Sequence, residues 1–265
     1  MHPHPNTIKI SALAITLNEE EHVERYVQSL SFADEIIFVD SYSTDNTVEI
    51  AKRLGVTVIQ RDFDNFSNQR NFAIEQAKND WVIFFDLDEI ISNELGTEII
   101  QTVEQPGFEV AFYVKRNFIF FNKKLNYGGF QNDKAIRLFN KKNCIYNGNL
   151  VHEEITTEGA IGILKNSADH YSFKNLDHYC SKLNHYSELQ ALKLYHQQLH
   201  PNLYHFLIRP SYRFVWQYLF RLGFLDGKEG FISAQINSFF VFKRYLNLWM
   251  LNKNQYFFEI VKQPI

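Results

Sequence analysis

The sequence predicts an α/β protein, with a mostly parallel sheet carrying helices on both faces and, from residue 172 onward, a helical extension rich in aromatic residues. Three observations predict it. Short apolar runs alternate with amphipathic stretches at close spacing through residues 8–86, the rhythm of a parallel sheet with crossover helices. Of the 25 Phe and 14 Tyr, 20 crowd into the 95 residues from Tyr171 onward. Charge divides the same way: residues 1–170 hold 16 Lys and Arg against 25 Asp and Glu, while residues 171–265 hold 11 against 5.

The first run, Ile8 to Thr16, is apolar without alternation, as expected of a strand covered on both faces. A helical stretch spans Glu19–Leu30, and the next strand, Ile36–Val39, ends at Asp40. A Ser/Thr/Asp loop leads into a helix over Thr47–Leu54 that Gly55 terminates. Val56–Gln60 gives a third strand, Asn68–Ala77 a third helix, and Trp81–Phe85 an apolar block closed by Asp86. From Glu109 to Phe139 the pattern is strand-like with turns at Gly128-Gly129, and past Tyr171 it becomes helical. The expected division is therefore residues 1–171 and 172–265, with no linker of low complexity between them.

Composition removes several classes. Two cysteines make no disulfide framework and no metal-type pairing, which favours a reducing compartment such as the cytoplasm. The start, Met1-His2-Pro3-His4-Pro5, lacks the layout of a signal peptide. The longest stretch of the extension without a charged residue or histidine, between Glu229 and Lys243, is too short and too polar to span a bilayer. An acidic first domain argues against nucleic acid as a partner.

Ligands of such sheets sit beyond the carboxyl ends of the strands, where Asn18, Asp40 and Asp86 stand. Asp86-Leu87-Asp88-Glu89 places two carboxylates one residue apart at a strand end, able to share a hard divalent cation, Mg or Mn, with diphosphate oxygens; a solvated acidic turn is the alternative. Asp40 can accept from a base edge, and the hydroxyls after it can meet ribose or phosphate. Capping the next helix is the competing role for Thr44 and Asp45. Val151-His152-Glu153-Glu154 offers Glu153 as a general base, against the alternative of a solvated strand end. His170 is a candidate nitrogen ligand or diphosphate donor, and Arg70 and Arg137 are candidate phosphate or sugar contacts.

These residues resemble a known pattern. Leu13-Ala14-Ile15-Thr16-Leu17-Asn18-Glu19-Glu20 resembles the opening strand and Asn-Glu step of family 2 glycosyltransferases, and Asp40-Ser41-Tyr42-Ser43-Thr44-Asp45-Asn46-Thr47 resembles their hydroxyl-rich loop. Asn68-Gln69-Arg70-Asn71 and Phe84-Phe85-Asp86-Leu87-Asp88-Glu89 fall in the same order and spacing. Val151-His152-Glu153, His170-Tyr171-Ser172-Phe173, Arg209-Pro210 and the segment Gly223–Phe231 extend the likeness to bacterial lipopolysaccharide-core glucosyltransferases of the heptose type. The resemblance implies a GT-A fold and inverting transfer of a hexose, glucose foremost, from a UDP-sugar to a lipopolysaccharide-core or lipid-linked acceptor. It implies Thr16, Asn18, Glu19, Asp40, Asp45, Arg70, Asp86 and Leu87 at the donor nucleotide and Asp88 and His170 at the metal. Glu153 is then the base, with Arg137 and His152 at phosphate or acceptor. A nucleotidyltransferase is the competing enzyme class, but it needs a Gly- and Lys-rich opening loop that Ala14–Glu20 lacks; an inactive nucleotide- or glycan-binding protein is the non-enzymatic alternative.

In the extension, Arg209, Arg213, Gln217 and Arg221 recur every four residues among aromatic neighbours, and Pro210 suits a helix start. The expectation is a polar stripe lying against the cytoplasmic face of the inner membrane. A helix docked on the catalytic domain is the alternative.

Overall fold

The computed structural model describes residues 9–148, 154–173 and 175–253. The chain forms two compact units, Met1–Phe118 with Asn132–Ser172, and Ile119–Gln131 with Phe173–Ile265. In sequence the division falls after residue 171; in space, residues 119–131 also go with the second unit.

In chain order the first unit runs β1 (Ile10–Thr16), α1 (Glu20–Ser29), β2 (Glu35–Asp40), α2 (Thr47–Arg53), β3 (Thr57–Gln60), α3 (Phe66–Gln76), β4 (Trp81–Phe84), β5 (Glu89–Ile91) and α4 (Asn93–Glu104). There follow β6 (Glu109–Phe120), whose last two residues enter the second unit together with β7 (Lys123–Leu125), then β8 (Lys134–Asn140), β9 (Cys144–Tyr146), β10 (Ile155–Thr157) and β11 (Ala160–His170). The main sheet is ordered β3-β2-β1-β4-β8-β6-β11-β5.

Strands β3, β2, β1 and β4 are mutually parallel, and β11 runs parallel to β6. The sequence-based expectation of a mostly parallel sheet holds for the first four strands. Beyond them the sheet is mixed, because β8 inserts antiparallel between β4 and β6, and β5 pairs antiparallel with β11. The physical reason is connection length: only β7 and a single 3-10 turn, Phe130–Asn132, separate β6 from β8, and a parallel return requires a longer crossover, usually an α-helix.

Burial on both faces explains why β1 reads as an unbroken apolar run. Ile10, Ala12 and Ala14 join Val23, Tyr26 and Leu30 of α1 and Leu95 and Ile99 of α4 in one core, and Leu13 joins Val39, Ala73, Ile74 and Phe84 in the other. Helices thus cover both faces.

The second unit is helical: α5 (Leu176–His196), a helix from Leu203 that includes α6 (Arg209–Val215), and α7 (Gly227–Asn252). Asp226, buried before α7, accepts from the backbone amides of Asn126 and Tyr127. Lys123 donates to the Asp226 carbonyl and pairs with Glu229 at 2.6 Å. These bonds tie residues 119–131 to the helices. Gly230, in the first turn of α7, packs so close to the Gly223 carbonyl that an added Cβ would lie 2.0 Å from that oxygen, which accounts for a glycine at that position.

Two expectations for this region change. Pro210 does not begin the helix, since the turn Tyr204–Ile208 precedes it in π-helical form. A proline inside a helix lacks a donor and crowds the carbonyl four residues back; the wider π turn, closed by the Arg209 amide on the Tyr204 carbonyl, accommodates it. The stripe of Arg209, Arg213, Gln217 and Arg221 is not uniformly outward either. Gln217 is 1% exposed and donates to Ser233 Oγ, Arg209 bonds Tyr245 Oη, and Arg221 lies over the Trp216 ring. No helix among the described residues is long and apolar enough to cross a membrane.

Candidate active site

In the order β3-β2-β1-β4 the chain winds outward in one direction from β1 and then restarts on its other side with β4. That reversal opens a crevice beyond the carboxyl ends of β1 and β4. Asn18 follows β1 and Asp86 follows β4, so the two loops at its mouth carry the residues singled out in sequence.

The loops after β1 and β2 are laced together by side chain to backbone bonds. The Asn18 amide donates to Ser43 Oγ and its Oδ1 accepts from the Thr44 amide; the Glu19 amide donates to Thr47 Oγ1 and the Glu20 amide to Asp45 Oδ2; the Asn46 amide returns to Glu20 Oε2. Asp45 also accepts from the Thr47 amide. Although partial burial pushes its carboxyl up, its bonds with Thr47 and the Glu20 amide hold it below the ordinary value. These bonds fasten the first residues of α1 and α2; the cap position of α2 is Asn46, whose side chain makes no cap bond, and Asp45 holds the helix start from one residue before it.

Asp40 is fully buried and accepts from Thr16 Oγ1 at 3.0 Å, Ser43 Oγ at 2.5 Å and the Ser43 amide at 2.9 Å. Its carboxylate and the buried Thr16 hydroxyl therefore work inward, shaping the loop. Asn18 and Tyr42 both take left-handed backbone, with φ of 56° and 60°. Such conformations cost non-glycine residues energy and persist where surrounding bonds fix them, as the lacing does here.

The turn Asp86–Glu89 is closed from both ends: the Glu89 amide donates to the Asp86 carbonyl, and the Asp86 amide donates to Glu89 Oε2 at 3.2 Å. Glu89 is fully buried, and its Oε1 accepts from Arg137 at 2.7 Å and Arg116 at 3.1 Å. Arg137 also grips Asp86 Oδ2 at 2.7 Å, Arg70 grips Asp86 Oδ1 at 2.9 Å, and Arg116 reaches Asp133 at 2.6 Å. Burial pushes the Asp86 carboxyl up, but Arg137 and Arg70 outweigh it and hold the group well below the usual carboxylate range. For Arg137 burial works against the charge, and Glu89 and Asp86 more than restore it. Tyr26, buried beneath the turn, donates to the Phe85 carbonyl, and burial beside Asp86 and Glu89 keeps its hydroxyl protonated.

Arg137, expected at phosphate or acceptor, thus lies buried between two carboxylates. Arg70 occupies Asp86 and also lies over the rings of Tyr146 and Phe84. The Leu87 side chain, expected at the donor nucleotide, is in the core.

Asp88 meets the end of β11. Its Oδ2 lies 3.2 Å from His170 Nε2, and its carbonyl accepts from the Tyr171 amide, so the end of β11 holds the turn from the far side. Two ligands in adjacent positions on a small octahedral cation, each about 2.1 Å away, are about 3 Å apart; a carboxylate oxygen and an imidazole nitrogen at 3.2 Å fit that donor set. Among the described residues no group of three or more His, Cys, Asp and Glu forms a metal cage, so further positions would fall to the substrate. His152 and Glu153 lie outside the described residues.

Sequence reasoning missed Glu89, Arg116, Asp133 and Tyr26. Glu89 carried a signal, being the third acid of a run directly after a buried strand. Arg116 carried none, because its approach to Glu89 depends on how β6, β11 and β5 pair.

Residues 11–156 match the glycosyl transferase family 2 domain. An uncharacterised glycosyltransferase of Rickettsia bellii is 32% identical over 93% of this chain and 87% of its own length. The lipopolysaccharide core biosynthesis glycosyltransferase LpsC of Rhizobium meliloti is 26% identical over 89% of this chain and 90% of its own. Among solved structures, glucosyl-3-phosphoglycerate synthase from Mycobacterium tuberculosis, in complex with Mn2+, UDP and glucosyl-3-phosphoglycerate, aligns with a TM-score of 0.36 at 24% identity, over 42% of this chain and 44% of that one.

Proposed function

The chain belongs to glycosyl transferase family 2, and from that premise we propose that it moves a hexose, glucose foremost, with inversion from a UDP-sugar to a sugar hydroxyl of a lipopolysaccharide core or related surface glycan. The observation that carries this reading is the pairing of Asp88 with His170 at the sheet's reversal, beside acids already neutralised by arginines. Similarity to a lipopolysaccharide core enzyme along nearly the whole chain supports the acceptor class. The expected location is the cytoplasmic face of the inner membrane.

In this reading the laced loop from Asp40 to Asp45 holds the nucleoside, with Asn18 and Glu19 beside it and Asp86 toward the ribose. Asp88 and His170 hold a divalent cation, Mg or Mn, which when bound supplies neutralising charge to the leaving diphosphate. Glu153 takes the proton of the acceptor hydroxyl as that oxygen attacks the anomeric carbon and the bond to the diphosphate breaks. UDP departs with the bonding electrons, and the new linkage has inverted configuration. Arg70 is within reach of exchanging Asp86 for the donor's phosphates, and His152 serves at phosphate or acceptor, while Arg137 holds Asp86 and Glu89 in place from beneath.

Calorimetric titration of the purified chain with UDP, with and without Mn2+, followed by transfer assays over a panel of UDP-sugars, tests the proposal. Metal-dependent UDP binding and one preferred UDP-hexose are expected. Absence of UDP binding in the presence of either cation overturns it.

A further inference from the structure

The helix between Leu203 and Leu222 carries a four-residue period. Leu203, Leu207, Ser211, Val215 and Leu219 form one column, and Tyr204, Ile208, Tyr212, Trp216 and Phe220 the next. Every one of these ten residues is exposed, Leu207 at 60% and Phe220 at 66%. The remaining two columns face α7. Pro210 is buried with its carbonyl accepting from Ser238, Phe206 meets Phe242 and Phe214 meets Phe231 at ring separations of 5.8 and 5.6 Å, and His205 and Gln217 contact Tyr245 and Ser233.

A period of four does not suit an α-helix, in which each repeat would drift by about 40° around the axis. A π turn, with its wider i to i+5 closure, drifts by about 30° the other way. This segment alternates the two, with π turns at Tyr204–Ile208 and Trp216–Phe220 on either side of α6. The drifts offset one another, and the two apolar columns run straight along the helix.

A straight stripe has a consequence for what can cover it. Helices that wrap another helix carry a seam of period 3.5 and supercoil to keep it in contact. An unsupercoiled stripe suits a plane. Its Tyr and Trp side chains suit the headgroup layer, where an apolar ring and a polar tip are both satisfied, and the excess of Lys and Arg over residues 171–265 suits an anionic one.

We propose that these two columns are the surface by which the protein lies on an anionic bilayer, with the helix parallel to the membrane plane and its apolar side chains at the boundary between headgroups and acyl chains. The inference deepens the membrane-surface part of the proposed function and does not depend on the donor site.

The test uses the full chain and vesicles of phosphatidylethanolamine with phosphatidylglycerol, against vesicles of phosphatidylcholine alone. Wild type is expected to sediment with the anionic vesicles, with tryptophan emission quenched by brominated lipid. The double variant Leu207→Glu/Phe220→Glu is expected to partition about a hundredfold less or lower still, with thermal midpoint and UDP affinity unchanged. Should that variant fold poorly, Leu207→Ser alone, expected to weaken partitioning by about tenfold, replaces it. Absence of wild-type binding overturns the proposal. Binding that the variant retains and salt abolishes overturns it too, because charge and not this face would then hold the lipid. A lipid-free dimer that the same variant dissociates, with no vesicle binding, assigns the face to a second copy instead. Loss of UDP binding with vesicle binding intact would sink the donor-site reading and leave this one standing.

Discussion

The acid and arginine cluster of the first unit and the exposed face of the second treat difficult side chains in opposite ways. Around Asp86 and Glu89 charges are drawn wholly or partly out of solvent, and both of these carboxylates have a guanidinium within 3.1 Å. Along Leu203–Phe220 large apolar groups are left outside, uncovered by the other described residues. Burying a charge is tolerable only with a counter-charge, whereas exposing a row of apolar groups raises a question of partners. The first region satisfies its charges within the scaffold; the second presents an apolar surface, which is proposed above to meet a bilayer.

The sharpest way to separate scaffold from chemistry is Asp88, whose carboxylate faces His170. Asp88→Ala removes a proposed cation ligand worth several kcal/mol of charge stabilisation, so transfer should fall by about 10³-fold or more. Its thermal midpoint should stay within a few degrees of wild type, and full activity in donor-dependent glycan formation would remove the metal role. Arg137→Ala attacks the scaffold instead. It leaves Glu89 and Asp86 facing each other with one cation fewer, and urea unfolding should show about 3–5 kcal/mol of lost stability. A loss below 1 kcal/mol would mean the cluster is wetter than its burial suggests.

Acid sharpens the same contrast. The Asp86 carboxyl is held below its unfolded value by Arg137 and Arg70 against burial. Its contribution is therefore present at pH above the ordinary carboxylate value of about 4 and is lost as pH falls from there through the depressed folded value. The midpoint of thermal unfolding should drop as pH is lowered from 5 toward 3 (about one proton more bound on unfolding's far side), and Arg70→Ala should flatten that dependence. The smallest effect belongs to the exposed face: Leu207→Ser should change stability by about 0.5 kcal/mol or less, because Leu207 is mostly in solvent. A larger loss would show that the face is packed from within.

Much of the site was legible in sequence because it lies at strand ends. An apolar block followed by Asp86-Leu87-Asp88-Glu89 marks a buried strand opening into a crevice, whatever its neighbours are. The lacing of Asn18–Glu20 with Ser43–Thr47 was half legible, since hydroxyl and acidic residues before a helix cap it. Their binding one another across the crevice mouth followed from β1 and β2 lying side by side. Asp40 read as a ligand-facing acid, yet the structure occupies its carboxylate with the Thr16 and Ser43 hydroxyls, because a short hydroxyl-rich loop turns back onto the strand end.

By itself the sequence determined the periodicities: two-sided apolar strands, helices that alternate with them, and a four-residue rhythm from Leu203 to Leu222. Each follows from where neighbouring side chains project from a local backbone. Only the tertiary structure decided that β8 would carry Arg137 beside β4, that β6 would bring Arg116 to Glu89, and which two of the four columns α7 would cover. The physical reason is that a side chain's partner across a sheet or between helices is set by strand order and register, which depend on the balance of many burials over the whole chain and leave no mark on the few residues that meet.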